Sequence, residues 1–229
     1  MHTPFARFGQ AIRNMARYGL NLILPATCPA CHTPLPPTEP LAFCATCYAR
    51  MPWWNTAQIL SPQLPPAIAS YAAPCLYAEP LRSAILHLKF QHGLPTVPAL
   101  ARLLLPLLPA TPMLIIPVPG HPSRTRQRHY NHMLNIARYL AAHTQHTTHP
   151  TALRRVKADT PQARKTRAAR LKLPASAFAA NPTLVAGKDI LLLDDIYTTG
   201  ATARACALAL RRAGAASVHV RTLAYTAPH

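Results

Sequence analysis

The sequence predicts an α/β protein: a mostly parallel sheet flanked by helices, preceded by a small four-cysteine zinc module. Three observations carry that expectation. Ile190-Leu191-Leu192-Leu193 is an apolar run without alternation, the pattern of a strand buried on both faces. Met113–Val118 is a second β-capable apolar run. Four of the six cysteines form Cys28-x2-Cys31 and Cys44-x2-Cys47, a spacing that closes a tetrahedral metal site from two turns.

The bulk composition sets limits. A chain of 229 residues can bury a full α/β core, and one main domain plus a small module is the natural division. Lys plus Arg is 24 and Asp plus Glu is 6, a formal charge of +18. That surplus points to a polyanionic partner: nucleic acid, an anionic membrane surface or a multiply phosphorylated ligand. No apolar stretch reaches the roughly eighteen residues of a membrane-spanning helix.

Residues 1–25 read as an N-terminal amphipathic helix. Phe5, Phe8, Ile12 and Met15 fall on one helical face, with Arg7, Gln10, Asn14 and Arg17 off it. Two readings stay open, a helix packed on its own domain and one lying on an anionic membrane. Arg7, Arg13 and Arg17 are interspersed rather than gathered ahead of an apolar core, which is not a signal-peptide layout.

Residues 26–52 form the expected zinc module, with Zn2+ held by Cys28, Cys31, Cys44 and Cys47 in a structural role. Pro29, Pro34, Pro36, Pro37 and Pro40 argue against a helix between the pairs. A disulfide framework would need an oxidising compartment, for which no export signal is seen. So small a module lacks a core of its own, and the metal would supply its folding energy. His32 reads as a bystander, and Cys75 and Cys206 as buried core cysteines.

Met51 to Ala67 reads as a connector, and residues 68–229 as the main domain. Ser70–Tyr77 is strand-like. Leu81, Ala84, Ile85 and Leu88 have helical spacing behind Pro80, and Pro98–Leu108 reads as a helix interrupted at Pro106. After Met113–Val118 comes a basic loop in which Arg124, Arg126 and Arg128 alternate. In an extended loop the three guanidinium groups point one way and make a candidate pyrophosphate clamp; a solvated basic loop is the competing reading. A helix over Asn131–His143 follows.

The apolar run at Ile190–Leu193 leads directly into Asp194 and Asp195, then Thr198, Thr199, Gly200, Ala201 and Thr202, then a helical stretch to Ala213 that Gly214 can end. A helix opening at Thr199–Thr202 offers unpaired N–H groups and the positive end of its dipole to one phosphate group. The preceding carboxylates are acceptors, suited to sugar hydroxyls or a divalent cation. Phosphate donors beside hydroxyl acceptors describe a sugar phosphate.

This segment resembles the phosphoribosyl-pyrophosphate (PRPP) signature of type I phosphoribosyltransferases. The wider chain looks like the ComF family of competence proteins. The resemblance rests on the two Cys-x2-Cys pairs, the Pro-Val-Pro…His-Pro-x-Arg-x-Arg-x-Arg loop ending in Tyr130-Asn131, and the Asp194–Thr202 motif. Leu153-Arg154-Arg155-Val156, Asp159–Ala163 and Arg167–Arg170 add a further block. The chain departs from that pattern with His129 for Gly, His132 for Gln, Arg164-Lys165 for Gly-Leu, and Lys172-Leu173 for Asn-Val.

The resemblance implies a type I phosphoribosyltransferase-like sheet and a PRPP site. Asp194 and Asp195 would hold the ribose hydroxyls, with Mg2+ arriving alongside the pyrophosphate. Residues Thr198, Thr199, Gly200, Ala201 and Thr202 would hold the 5′-phosphate, and Arg124, Arg126 and Arg128 the pyrophosphate. Salvage enzymes for 6-oxopurines carry an acid immediately before Thr-Gly-x-Thr. Here that residue is Thr198, which argues against hypoxanthine or guanine salvage.

Twelve of the 24 basic residues fall between positions 121 and 172, where the only acid is Asp159. Arg154, Arg155, Lys157, Arg164, Lys165, Arg167 and Arg170 are candidate DNA contacts in a groove that tracks a nucleic-acid backbone. A high-charge solubility surface is the alternative. Trp53, Trp54 and Tyr130 are candidate stacking partners for bases. Two function classes follow. One is a cytoplasmic competence protein, possible at the inner face of the membrane beside the DNA-uptake machinery, that handles incoming single-stranded DNA. The other is a Mg2+-dependent phosphoribosyltransferase of nucleotide metabolism.

Overall fold

A computed structural model of the protein describes residues 26–36, 43–54, 64–90, 94–120, 131–156 and 174–226. The elements, in order, are α1 (Ala45–Ala49), β1 (Ser70–Ala72), β2 (Cys75–Leu76), α2 (Leu81–Phe90), α3 (Val97–Leu104), β3 (Leu114–Pro117), α4 (His132–His143), β4 (Thr147–Thr148), β5 (Leu153–Arg155), β6 (Phe178–Ala180), α5 (Pro182–Val185), β7 (Asp189–Tyr197), α6 (Ala201–Arg212) and β8 (Ser217–Tyr225). The main sheet has the order β1-β8-β7-β3-β4, with β2 also on β8, and every pairing in it is parallel. A separate antiparallel pair joins β5 to β6. The expected α/β class with a mostly parallel sheet is what the chain adopts.

The pleat sorts the core into two layers, because successive strand residues face opposite sides. Leu191 and Leu193 of β7 and Ile115 of β3 join a cluster with Leu81, Ile85 and Leu88 of α2, Leu100 and Leu104 of α3, and Met133, Ile136 and Leu140 of α4. Ile190 and Leu192 join Leu114, Ile116, Val218 and Val220 against Ala203, Cys206 and Leu210 of α6. Helices therefore cover both faces, and no buried strand needs polar alternation.

The strand order also has a switch point. From β3 the chain passes through α4 to β4 on one side, and from β7 through α6 to β8 on the other. The order reverses between β3 and β7, and in open parallel sheets the crevice at the carboxyl ends of such a pair is the binding site. The β3–β7 ladder runs from Leu114↔Ile190 to Pro117↔Leu193, and the Val118 N–H extends it by donating to the Leu193 carbonyl at 2.8 Å.

Individual elements refine the sequence reading. The Ser70–Tyr77 strand is two short strands, β1 and β2. Pro106 does not sit inside a continuous helix; α3 stops at Leu104 and a 3-10 turn spans Leu105–Leu107. Asn131 caps α4, its side-chain oxygen accepting from the N–H groups of Met133 at 3.0 Å and Leu134 at 3.4 Å. Gly214 ends α6 at φ +93, where its N–H donates to Arg211 and that of Ala215 reaches Leu210, the paired bonds of a Schellman stop. The segment after Met51 is more than a connector. Trp53 bridges Cys75, and the Leu76 N–H donates to the Pro52 carbonyl at 2.8 Å.

Among the described residues no helix is long and apolar enough to cross a membrane. The amphipathic segment over 1–25 lies outside the described residues.

Candidate functional site

β7 is longer than its apolar run. It continues through Asp194, Asp195 and Ile196 to Tyr197, held on one side by β8 through Asp194↔Thr222 and Tyr197↔Tyr225. The acids therefore project from a rigid strand end. By the pleat they take opposite faces of the sheet. Asp195 points to the layer of α2 and α4, where its Oδ2 accepts from Lys89 Nζ at 2.7 Å and from His132 Nε2 at 2.9 Å. Asp194 lies within electrostatic reach of Cys206 on α6 and Tyr71 on β1, and its Oδ1 accepts the Asp195 N–H at 2.9 Å.

The two carboxyls consequently differ in chemistry. Burial, reinforced by the charge of Asp195, pushes the Asp194 carboxyl up to about 8. Burial also opposes ionisation of Asp195, but the His132 hydrogen bond and the Lys89 charge outweigh it and hold that carboxyl at about 2. Asp195 is thereby favoured as a carboxylate acceptor, and Asp194 is pushed toward its protonated form.

Thr198 and Thr199 are exposed at the turn after β7. Gly200 is the N-cap of α6, with φ +70 and no side-chain cap. Both its backbone and its surroundings demand glycine. The φ is left-handed, and a Cβ would collide with the Tyr197 hydroxyl packed beneath. The Ala201 N–H reaches Thr199 Oγ1 at 3.4 Å. The first-turn N–H groups of this twelve-residue helix face the carboxyl edge beside the acids, which is the arrangement an anion needs. Under the loop lies an aromatic layer: Tyr197 meets Tyr71 at 4.3 Å, and Trp54 stacks flat on Tyr225 at 4.3 Å.

The four module cysteines also converge. Their sulfurs all lie within 4.8 Å of one another. Cys31 and Cys44 sulfurs are 3.7 Å apart, close to the edge of about 3.8 Å expected for a tetrahedron with Zn–S of about 2.3 Å. The second pair is built on a helix start, with Cys44 as N-cap of α1 and its sulfur accepting the Cys47 N–H at 3.5 Å. The Cys44 N–H in turn reaches Cys28 Sγ at 3.4 Å. Hydrogen bonds from Thr33 draw the Cys31 thiol down to about 6, whereas burial pushes Cys47 up. This cluster can bind a metal such as zinc.

The module is not free-standing. Leu35, Phe43, Cys47 and Met51 belong to the same buried cluster as α2 and α3. His32, in a left-handed turn at φ 60, meets His87 edge-on at 4.8 Å.

Of the sequence-derived sites, the structure brings the acid pair, the Thr198–Thr202 loop and the four cysteines into defined geometry. Arg154 is exposed on β5, and Arg155 lies 5.3 Å from the Phe178 ring centroid. Arg124, Arg126, Arg128, Tyr130, Lys157, Arg164, Lys165, Arg167 and Arg170 lie outside the described residues. Of the proposed stacking residues, Trp54 is already stacked on Tyr225, and exposed Trp53 meets Tyr48 at 5.2 Å. Sequence reasoning missed Lys89, and it noted His132 only as a departure from a family pattern. A lone lysine in the last turn of an amphipathic helix gives no signal until the helix is docked.

No family model matches the sequence, and no curated protein matches it. Among solved structures, the chain is similar to one described as the allosteric regulatory enzyme of purine biosynthesis, at 21% identity and a TM-score of 0.38. It is also similar to glutamine PRPP amidotransferase from B. subtilis complexed with ADP and GMP, at 20% identity and a TM-score of 0.35. Each alignment covers 54% of this chain and 24% of the solved chain, about a quarter of the latter's length.

Two outcomes follow from this geometry. Between the ordinary carboxyl value of 3.8 and about 8, the folded chain keeps a proton on Asp194 that the unfolded chain has lost, so this group erodes stability as pH rises. Asp194→Asn should therefore be more stable than wild type in urea titrations. The gain should grow from pH 4 to pH 8 and exceed about 1 kcal/mol at the top; a gain independent of pH would contradict the assignment. Cys31→Ser should lose bound metal, read by elemental analysis, and lower the unfolding free energy of the whole domain by about several kcal/mol in urea titrations, because the module shares the main core.

Proposed function

We propose that the chain binds a ribose 5-phosphate of the PRPP class at the carboxyl edge of β7 and β3, and that it handles single-stranded DNA as a ComF-type competence protein. The observation that carries the first part is the acid pair ending β7 immediately before Gly200, the left-handed N-cap of α6. Hydroxyl acceptors and phosphate donors stand one turn apart on rigid elements. On this reading Asp194 and Asp195 accept from the ribose hydroxyls, and Thr198, Thr199, Gly200, Ala201 and Thr202 hold the 5′-phosphate.

The arginine segment supports the reading by where it begins and ends. The chain leaves β3 at Val118, bonded to Leu193, and returns at His132, bonded to Asp195. Arg124, Arg126 and Arg128 fall in sequence between these two anchored residues, and on this reading their role is to meet the pyrophosphate. Mg2+ would accompany the pyrophosphate, neutralising its charge with few protein ligands, for which the two carboxyls are candidates. Zinc is the metal of the four-cysteine cluster, in a structural role.

The DNA part rests on charge. Half of the basic residues crowd into positions 121–172 against one acid, more than a single pyrophosphate requires. On this reading the protein works in the cytoplasm, at or near the inner face of the membrane where a DNA strand enters. The competing reading is a phosphoribosyltransferase acting on a nitrogen nucleophile. Thr198 stands where a base-activating acid would be needed, so such an enzyme would draw its proton acceptor from elsewhere.

Single-stranded DNA binding across a salt series, with and without PRPP and Mg2+, separates the readings. DNA handling predicts a steep fall in affinity with salt that Asp194→Asn leaves intact, while the same substitution weakens PRPP binding. Weak, salt-insensitive DNA binding alongside clear PRPP binding would overturn the DNA part and leave the enzyme reading. Absence of PRPP binding would overturn the sugar-phosphate part.

A further inference from the structure

Among the described residues, the Asp195 carboxylate is bonded on one oxygen. Lys89 Nζ and His132 Nε2 both donate to Oδ2, at 2.7 and 2.9 Å. Among the described residues nothing else bonds this carboxylate, so Oδ1 is the acceptor left for a ligand. The two donors arrive from different helices: Lys89 from the last turn of α2, where the helix dipole favours a cation, and His132 from the first residue of α4. Both helices are anchored, α2 by fully buried Leu81, Ile85 and Leu88 and α4 by Ile136 and Leu140. All three side chains are largely withdrawn from solvent, at 15% exposure for Lys89, 13% for His132 and 17% for Asp195.

A carboxylate on a short side chain can rotate. Held on one oxygen from two directions, it cannot rotate without breaking two charge-assisted bonds in a half-dry environment. We propose that Lys89 and His132 are positioning residues that lock Asp195 so that Oδ1 reads the ribose 2′-hydroxyl, making the site selective for ribose over 2-deoxyribose phosphates. The inference rests on the sugar-phosphate reading and adds its selectivity and the residues that set it. Neither residue touches the phosphate. Both act through the orientation of one acceptor oxygen. His132 needs only to donate a hydrogen bond, so a glutamine there can do the same work.

The test compares affinities for ribose 5-phosphate and 2-deoxyribose 5-phosphate by calorimetry on the full chain. Wild type should prefer the ribose form by at least about tenfold, because a site built to bond a hydroxyl penalises its absence. Lys89→Met and His132→Ala should cut that preference to less than about threefold while 2-deoxyribose 5-phosphate still binds, since the phosphate loop is untouched. His132→Gln should restore it. In an Asp195→Asn background Lys89→Met should change the preference no further, a result that a general loss of folding would not give.

An unchanged preference in folded Lys89→Met, or equal wild-type affinities for the two sugars, would overturn this inference and leave the sugar-phosphate reading standing. Failure of wild type to bind either sugar phosphate would overturn both.

Discussion

Parallel pairing of β7 with β3 on one side and β8 on the other is the constraint on which the rest depends. It buries Ile190 to Leu193 on both faces and divides the core into two helical layers. It also sends the chain in opposite directions from β3 and β7, so the crevice at their carboxyl ends is left open to a ligand. Once that ladder forms, Asp194 and Asp195 have no choice but to stand at its rim on opposite faces. Gly200 follows because the turn from β7 into α6 passes over Tyr197 with a left-handed φ.

The rim is expensive to build. A chain with only six acids sets two of them side by side in partial burial, where Lys89 and His132 favour the ionised form of one and burial disfavours ionisation of the other. A pair used only for stability would not be arranged so that the neighbour's charge raises Asp194. The arrangement makes sense if a ligand supplies the missing partners, since hydroxyl donors satisfy carboxyl acceptors without adding charge. The aromatic layer of Tyr71, Tyr197, Tyr225 and Trp54 supports the rim from below and fixes the turn above it. The cysteine cluster supports it less directly. Its apolar residues belong to the cluster that seats α2, and α2 carries Lys89.

Much of this was legible in the sequence, for identifiable reasons. A four-residue apolar run without alternation suits a strand covered on both sides, and two cysteine pairs at metal spacing suit one metal site. The extension of β7 through Asp194–Tyr197 was not legible, because acids are poor strand residues and only pairing to β8 holds them extended. β8 itself is announced by no continuous run, since His219, Arg221 and Thr222 interrupt its apolar residues; Arg221 is buried by donating to the Leu107 carbonyl at 2.6 Å. The Lys89–Asp195–His132 contact was hidden for a different reason. Its members are far apart in sequence, and only the docking of α2 and α4 on the same face of β7 brings them together.

The central claim is that the carboxyl edge of β7 and the first turn of α6 form one sugar-phosphate site. Hydrogen exchange of the backbone amides, followed residue by residue with and without PRPP and Mg2+, tests it most directly. The account predicts slowed exchange centred on the amides of the 198–203 turn and of Asp194 and Asp195, with the amino ends of the strands unchanged. Protection absent from that turn while PRPP is bound elsewhere would contradict it.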